Sequence, residues 1–150
     1  MSAEPAGDEL HLPDRPRIDS FLLADHAEAI NGKLYVMGAG FDTVGVPDYP
    51  AVVRFSVAAV LKVPWADTNR RFPLVATLET TDGDALDWRM EGEMEAGRAP
   101  GSRPGDVTVV IAGPVQFQAD DDLDLIARLR FAHDERTTSV RVMRAQTPTR

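Results

Sequence analysis

From Val53 to Val63 the chain alternates with a period of two. Val53, Phe55, Val57, Ala59, Leu61 and Val63 lie on one side; Arg54, Ser56, Ala58, Val60 and Lys62 lie on the other. The same beat recurs three times. Leu74, Ala76 and Leu78 alternate with Val75, Thr77 and Glu79. Leu86, Trp88, Met90 and Met94 share one side, against Asp87, Arg89, Glu91 and Glu93. Leu123, Leu125, Ala127, Leu129 and Phe131 oppose Asp124, Arg128 and Arg130. Successive side chains of an extended strand point to opposite faces, so this pattern predicts strands with one buried face and one wet face. Such strands build antiparallel sheets, because the strands of parallel α/β sheets are covered on both sides. Val107, Val109, Val110 and Ile111 form the one continuous apolar run and are expected as a central strand.

The turn residues divide the chain to match. Asn31-Gly32 and Asp82-Gly83 predict hairpins, since both residues of a tight hairpin turn tolerate positive φ. Pro47 and Pro50, Pro64, Gly101 to Gly105 and Gly113-Pro114 predict loops. Leu22 to Ile30 is rich in Ala and Leu and has the composition of a helical turn. Pairing across Asn31-Gly32 with the apolar run that follows makes it a strand instead. The count is about eight or nine strands in an all-β, antiparallel β-sandwich, immunoglobulin-like or jelly-roll. Residues 1–16, with Pro5, Pro13 and Pro16, read as a flexible N-terminal arm, 17–145 as the sandwich domain and 146–150 as a flexible tail.

Length and charge narrow the function classes. One hundred and fifty residues suffice for one domain with a real core. The 24 acidic and 16 basic side chains give a net charge of −8. A chain of that charge repels a phosphate backbone, so nucleic acid is not an expected partner. There is no cysteine, which excludes disulfides, thiol nucleophiles and thiolate metal sites. The N-terminus lacks the basic and apolar regions of a secretory signal, and no apolar run reaches the roughly 18 residues of a membrane span. The expected setting is the cytoplasm, with no membrane contact.

The run Ala24-Asp25, then Gly32-Lys33-Leu34, then Gly38 and Gly40 adds a relationship. It resembles the opening of a family of small uncharacterised bacterial proteins, mostly actinobacterial, that carry a domain of unknown function. The resemblance is closest over the first third of the domain. It implies a β-sandwich and brings no activity.

Candidate chemistry is sparse. Asp120, Asp122 and Asp124 match the first three ligand positions of a helix-loop-helix calcium loop. Leu125 stands where that loop needs glycine and Phe131 where it needs a bidentate glutamate, so a solvated turn is the expected role. His26 adjoins Asp25 and His133 adjoins Asp134, yet strand neighbours face opposite ways and neither pair is a dyad by adjacency. His11 falls in the arm. Gly38, Gly40 and Gly45 lack the helix a dinucleotide loop opens, and predict a turn or bulge. Arg70-Arg71, with Lys62 and Trp65, is the one compact basic-aromatic cluster, expected as a loop at the sandwich end. Residues 92–106 read as a long mobile loop.

No nucleophile pattern, metal set or cofactor loop emerges, so neither catalysis nor a cofactor is expected. The leading expectation is a non-catalytic sandwich acting through protein–protein contacts, with a protein partner or by self-association, as an accessory or structural subunit. The alternative is a small-ligand or divalent-metal-binding protein drawing on Asp120, Asp122, Asp124, His26 and His133. The loops at 38–49 and 92–106 are the places to look for binding.

Overall fold

A computed structural model describes residues 14–146. Nine strands follow one another: β1 Arg17–Ile30, β2 Lys33–Ala39, β3 Thr43–Val46, β4 Ala51–Val63, β5 Arg71–Thr80, β6 Ala85–Glu95, β7 Val107–Ala119, β8 Leu123–Phe131 and β9 Asp134–Arg144. A single 3₁₀ turn, Trp65–Asp67, links β4 to β5. The strands form a four-stranded sheet in the order β2-β1-β4-β7 and a five-stranded sheet in the order β3-β9-β8-β5-β6. Residues 1–13 and 147–150, which hold most of the expected arm and tail together with His11, lie outside the described residues.

The core is built from the alternating sets. Val53, Phe55, Val57, Ala59, Leu61 and Val63 of β4 are all buried, and so are Leu125, Ala127, Leu129 and Phe131 of β8. Facing each other across the sheets, they divide into two clusters. Phe55, Leu78, Phe117 and Val142 anchor one; Ile18, Leu61, Leu129 and Phe131 anchor the other. Trp88 and Met90 of β6 pack against both. Edge-to-face contacts of Phe55 with Phe41 and Phe117 add directional packing at one end.

The strand order settles the topology. Take β1, β4 and β7 as the first, second and fifth strands of an immunoglobulin-type sandwich, and β5, β8 and β9 as its third, sixth and seventh. The two sheets then reproduce the pairing of that fold, with the fourth strand missing. Within this frame β3 and β6 are additions at the edges of the five-stranded sheet, and β2 is an addition to the other. It hydrogen-bonds only to β1, outside the sandwich order.

Several expectations are corrected. The segment 107–111 is not central: β7 is the free edge of the four-stranded sheet, and Val107, Val109, Val110 and Ile111 are only half-buried. Gly113-Pro114 is not a loop but the middle of β7, a place where an edge strand tolerates a residue without an N–H. The sheets are not wholly antiparallel, since β3 runs parallel to β9. The loop expected at 92–106 begins only after Glu95, because β6 continues through that residue. Its first part is anchored: Ala96 is buried and its carbonyl accepts the Asn69 N–H at 2.7 Å. Arg98 lies 4.1 Å over the Trp65 ring and donates to the Thr68 hydroxyl and the Trp65 carbonyl.

Candidate interaction surface

The residues singled out for chemistry are held by structural partners. Asp120 accepts from the Gln118 amide at 3.0 Å. Asp122 accepts from the Tyr49 hydroxyl and from the Arg144 backbone N–H. Asp124 pairs with Arg141 at 2.7 Å. Burial and the bond to Asp122 push the Tyr49 hydroxyl up to about 12. Arg144 closes the group, pairing with Asp48 at 2.7 Å and lying 5.7 Å over the Tyr49 ring. An open groove of about 340 Å³ runs beside it, lined by Asp42, Thr43, Thr81, Asp124, Ser139 and Arg141. Among the described residues, no three His, Asp or Glu side chains converge as a metal site.

The two histidine pairs do not meet. His26 sits on the outer half of β1, opposite Met37, with its Nε2 3.2 Å from Glu28. His133 lies in the β8–β9 turn, and its neighbour Asp134 accepts the Ile18 N–H near the start of β1. The basic cluster is also dispersed. Arg70 pairs with Asp67, Arg71 lies beside Glu93 and Glu95, and Lys62 donates to Thr108. The cation on Trp65 is Arg98, which is distant in sequence and gave no local signal.

The β1–β2 hairpin is the region with unfilled contacts. Its turn forms because Asn31 and Gly32 both adopt positive φ, 51° and 73°. This is the conformation of a two-residue turn whose twist suits paired strands. The register is continuous from Ile30↔Lys33 through Ala29↔Leu34, Ala27↔Val36 and His26↔Met37 to Ala24↔Ala39. Gly38 has φ +66°, a conformation that favours glycine, and a Cβ there would meet the Asp25 side chain.

The hairpin packs over the outside of its own sheet. Val57 and Ala59 face the core, so Ala58 points outward, beside Leu22 and Ala112 in the register. Yet Ala58 and Ala24 are fully buried. Leu34 and Val36, with Ala27, cover them in a third apolar cluster. In keeping with this, β2 approaches β4 and β7 although it bonds to neither. One face of the hairpin is thereby satisfied.

The other face is not. Ile30, Tyr35 and Met37 are 45%, 52% and 68% exposed. They are three of the four large apolar side chains exposed among the described residues; the fourth is Val52 on β4. Cross-strand pairing sets His26 opposite Met37, Glu28 opposite Tyr35 and Ile30 opposite Lys33. The result is a strip in which Ile30, Tyr35 and Met37 lie opposite Lys33, Glu28 and His26. The sequence signal for it was present but not read. Leu34 to Met37 is apolar on both faces of a strand, and only one of those faces can enter a core.

A family model, described as a family of unknown function (DUF6941), matches residues 19–126, a segment that includes the paired part of the hairpin, residues 24–39. No curated protein and no solved structure matches the chain.

Proposed function

The chain belongs to the family of unknown function DUF6941, and on that premise we propose that it acts through protein contacts rather than catalysis, with the β1–β2 hairpin as its contact element. One observation carries this reading. Strand β2 is not among the six strands that match the immunoglobulin-type order, and the hairpin it forms with β1 bears Ile30, Tyr35 and Met37 in the open. Tyr and Met are residue types enriched at the centres of protein interfaces. Exposure of apolar side chains clustered in this way marks a contact surface, whereas single ones do not. The sandwich supplies a rigid base, and the Ala24–Ala58 cluster beneath the hairpin holds it in place. The cytoplasm is the setting this reading assumes.

The test is affinity capture with tagged wild-type protein and with the double variant Tyr35→Lys/Met37→Lys, followed by mass spectrometry. Both side chains are more than half exposed, so the variant keeps the fold. A stoichiometric protein, either a second copy or another chain, should be held by the wild type and lost by the variant. Identical capture lists from the two would overturn the assignment to the hairpin.

A further inference from the structure

The four sheet edges are treated unequally. A strand edge presents unpaired backbone groups and templates pairing unless it is blunted. On β6, Asp87, Arg89, Glu91, Glu93 and Glu95 supply a row of charge. On β7 the proline Pro114 interrupts the edge, and Trp88 of β6 donates to its carbonyl at 3.1 Å. Strand β3 is four residues long and is followed by Pro47 and Pro50. Strand β2 has no proline, and its only charge is Lys33 at its beginning.

We propose that the β2 edge pairs with the β2 edge of a second copy of this chain, antiparallel about a two-fold axis at Val36, continuing the four-stranded sheet into one of eight strands. This rests on the reading of the hairpin as a contact element and names what it contacts. Two features of the edge select a second copy. The first is the direction of its peptide groups. In a hairpin closed by a two-residue turn, the flanking residues, here Ile30 and Lys33, form a hydrogen-bonded pair. Lys33, Tyr35 and Met37 therefore turn their N–H and C=O groups towards β1, and Leu34 and Val36 turn theirs outward. An axis at Val36 lets each Val36 exchange two hydrogen bonds with its own copy.

The second feature is self-complementarity. The same axis sets Tyr35 opposite Met37 of the other copy, twice. Given Glu28↔Tyr35 and His26↔Met37 within each chain, each of these two rows across the joined sheet reads Glu28, Tyr35, Met37, His26, with an acid at one end and an imidazole at the other. Lys33 falls opposite Ala39, so no like charges are opposed. Sulfur–aromatic contacts favour this arrangement. Each copy carries a net charge of −8, so added salt, by screening the general repulsion, tightens the pair.

The experiment is sedimentation equilibrium over a concentration series, with wild type, Tyr35→Lys/Met37→Lys and the control Val52→Lys. The wild type and the control should dimerise, more tightly in added salt. The double variant should remain monomeric with an unchanged circular dichroism spectrum. The register has its own test, made clean by the absence of cysteine. A one-to-one mixture of Tyr35→Cys and Met37→Cys should form a disulfide-linked dimer on mild oxidation faster than either variant alone. Self-linkage of Tyr35→Cys faster than the mixture would overturn the axis at Val36. A dimer that survives the double substitution would place the contact elsewhere and overturn the proposal. A monomeric wild type would also overturn it. In that case a partner captured by wild type and lost by the double variant leaves the contact reading intact, and no such partner removes both.

Discussion

Strands β6 and β2 are both sheet edges, and they meet solvent in opposite ways. The exposed side of β6 belongs to a charged lattice that covers the outside of the five-stranded sheet. In it Arg89 pairs with Glu91 at 2.8 Å and Arg71 lies 3.4 Å from Glu95. Further in, Arg128 links Glu79 to Glu135, and Arg130 reaches Glu135 at 2.8 Å. Such exposed pairs add little stability. Their effect is on association: a row of charge makes the edge a poor template for another strand. Strand β2 offers Tyr35 and Met37 instead. The difference teaches that the row of charge on β6 has no counterpart along the β2 edge, which is what the proposed contact at that edge requires.

The largest expected effect tests the base that both edges share. Phe131→Ala should cost about 3–5 kcal/mol, because Phe131 is fully buried between the sheets. Chemical denaturation should show it, with amide protection falling in β2 and β6 alike. Leu34→Ala sharpens the contrast. It thins the cluster beneath the hairpin, and at a half-buried site should cost about 2 kcal/mol. Hydrogen exchange should accelerate in β1 and β2 and stay unchanged in β6. Gly38→Ala acts at the same place through the backbone, by at least about 1 kcal/mol from its positive φ, with the same local exchange signature.

A smaller effect on stability, but a clear one on association, comes from stripping the guard. Arg89→Val/Glu91→Val/Glu93→Val should make β6 resemble β2. Light scattering should then report self-association that the Tyr35→Lys/Met37→Lys change does not suppress.

The smallest effects are those of pH. Hydrogen bonds from Arg130 and Arg128 hold Glu135 below the ordinary carboxylate value of 4.5. Its contribution is present above that value and is lost as pH falls through the lower folded value. Glu135→Gln should flatten that acid limb slightly. Tyr49 has the opposite sense: its raised value means a contribution that is full below about 10 and lost as pH rises through about 12. Tyr49→Phe should remove that alkaline step while leaving the behaviour of the β2 edge untouched.

Much of the scaffold was legible because its signals are local. The period-two runs in β4, β5 and β8 and the Asn31-Gly32 and Asp82-Gly83 turns are properties of a few adjacent residues, and they predicted the strands and hairpins that form. Leu22 to Ile30 was read as a strand against its helical composition because the turn beside it outweighed propensity. The misread places have a common origin. Val107 to Ile111 is apolar on both faces, which suggested a central strand. Whether a strand is central depends on neighbours far away in sequence, and here one side of β7 was left free. Gly113-Pro114 looked like a loop for the same reason, since a proline is harmless only at an edge that the sequence does not identify.

The sequence by itself determined that this chain forms about eight or nine mostly amphipathic strands, a sandwich core and an acidic surface, since alternation and charge are written residue by residue. Only the tertiary structure decided which edges stay open, that β2 lies outside the sandwich order, and that the hairpin buries Leu34 and Val36 while presenting Tyr35 and Met37. The physical reason is that a strand has two faces and two edges of similar local chemistry. Which of them meets protein and which meets water is set by contacts between segments distant in the chain, here the packing of Leu34 and Val36 against the cluster of Ala24, Ala27 and Ala58.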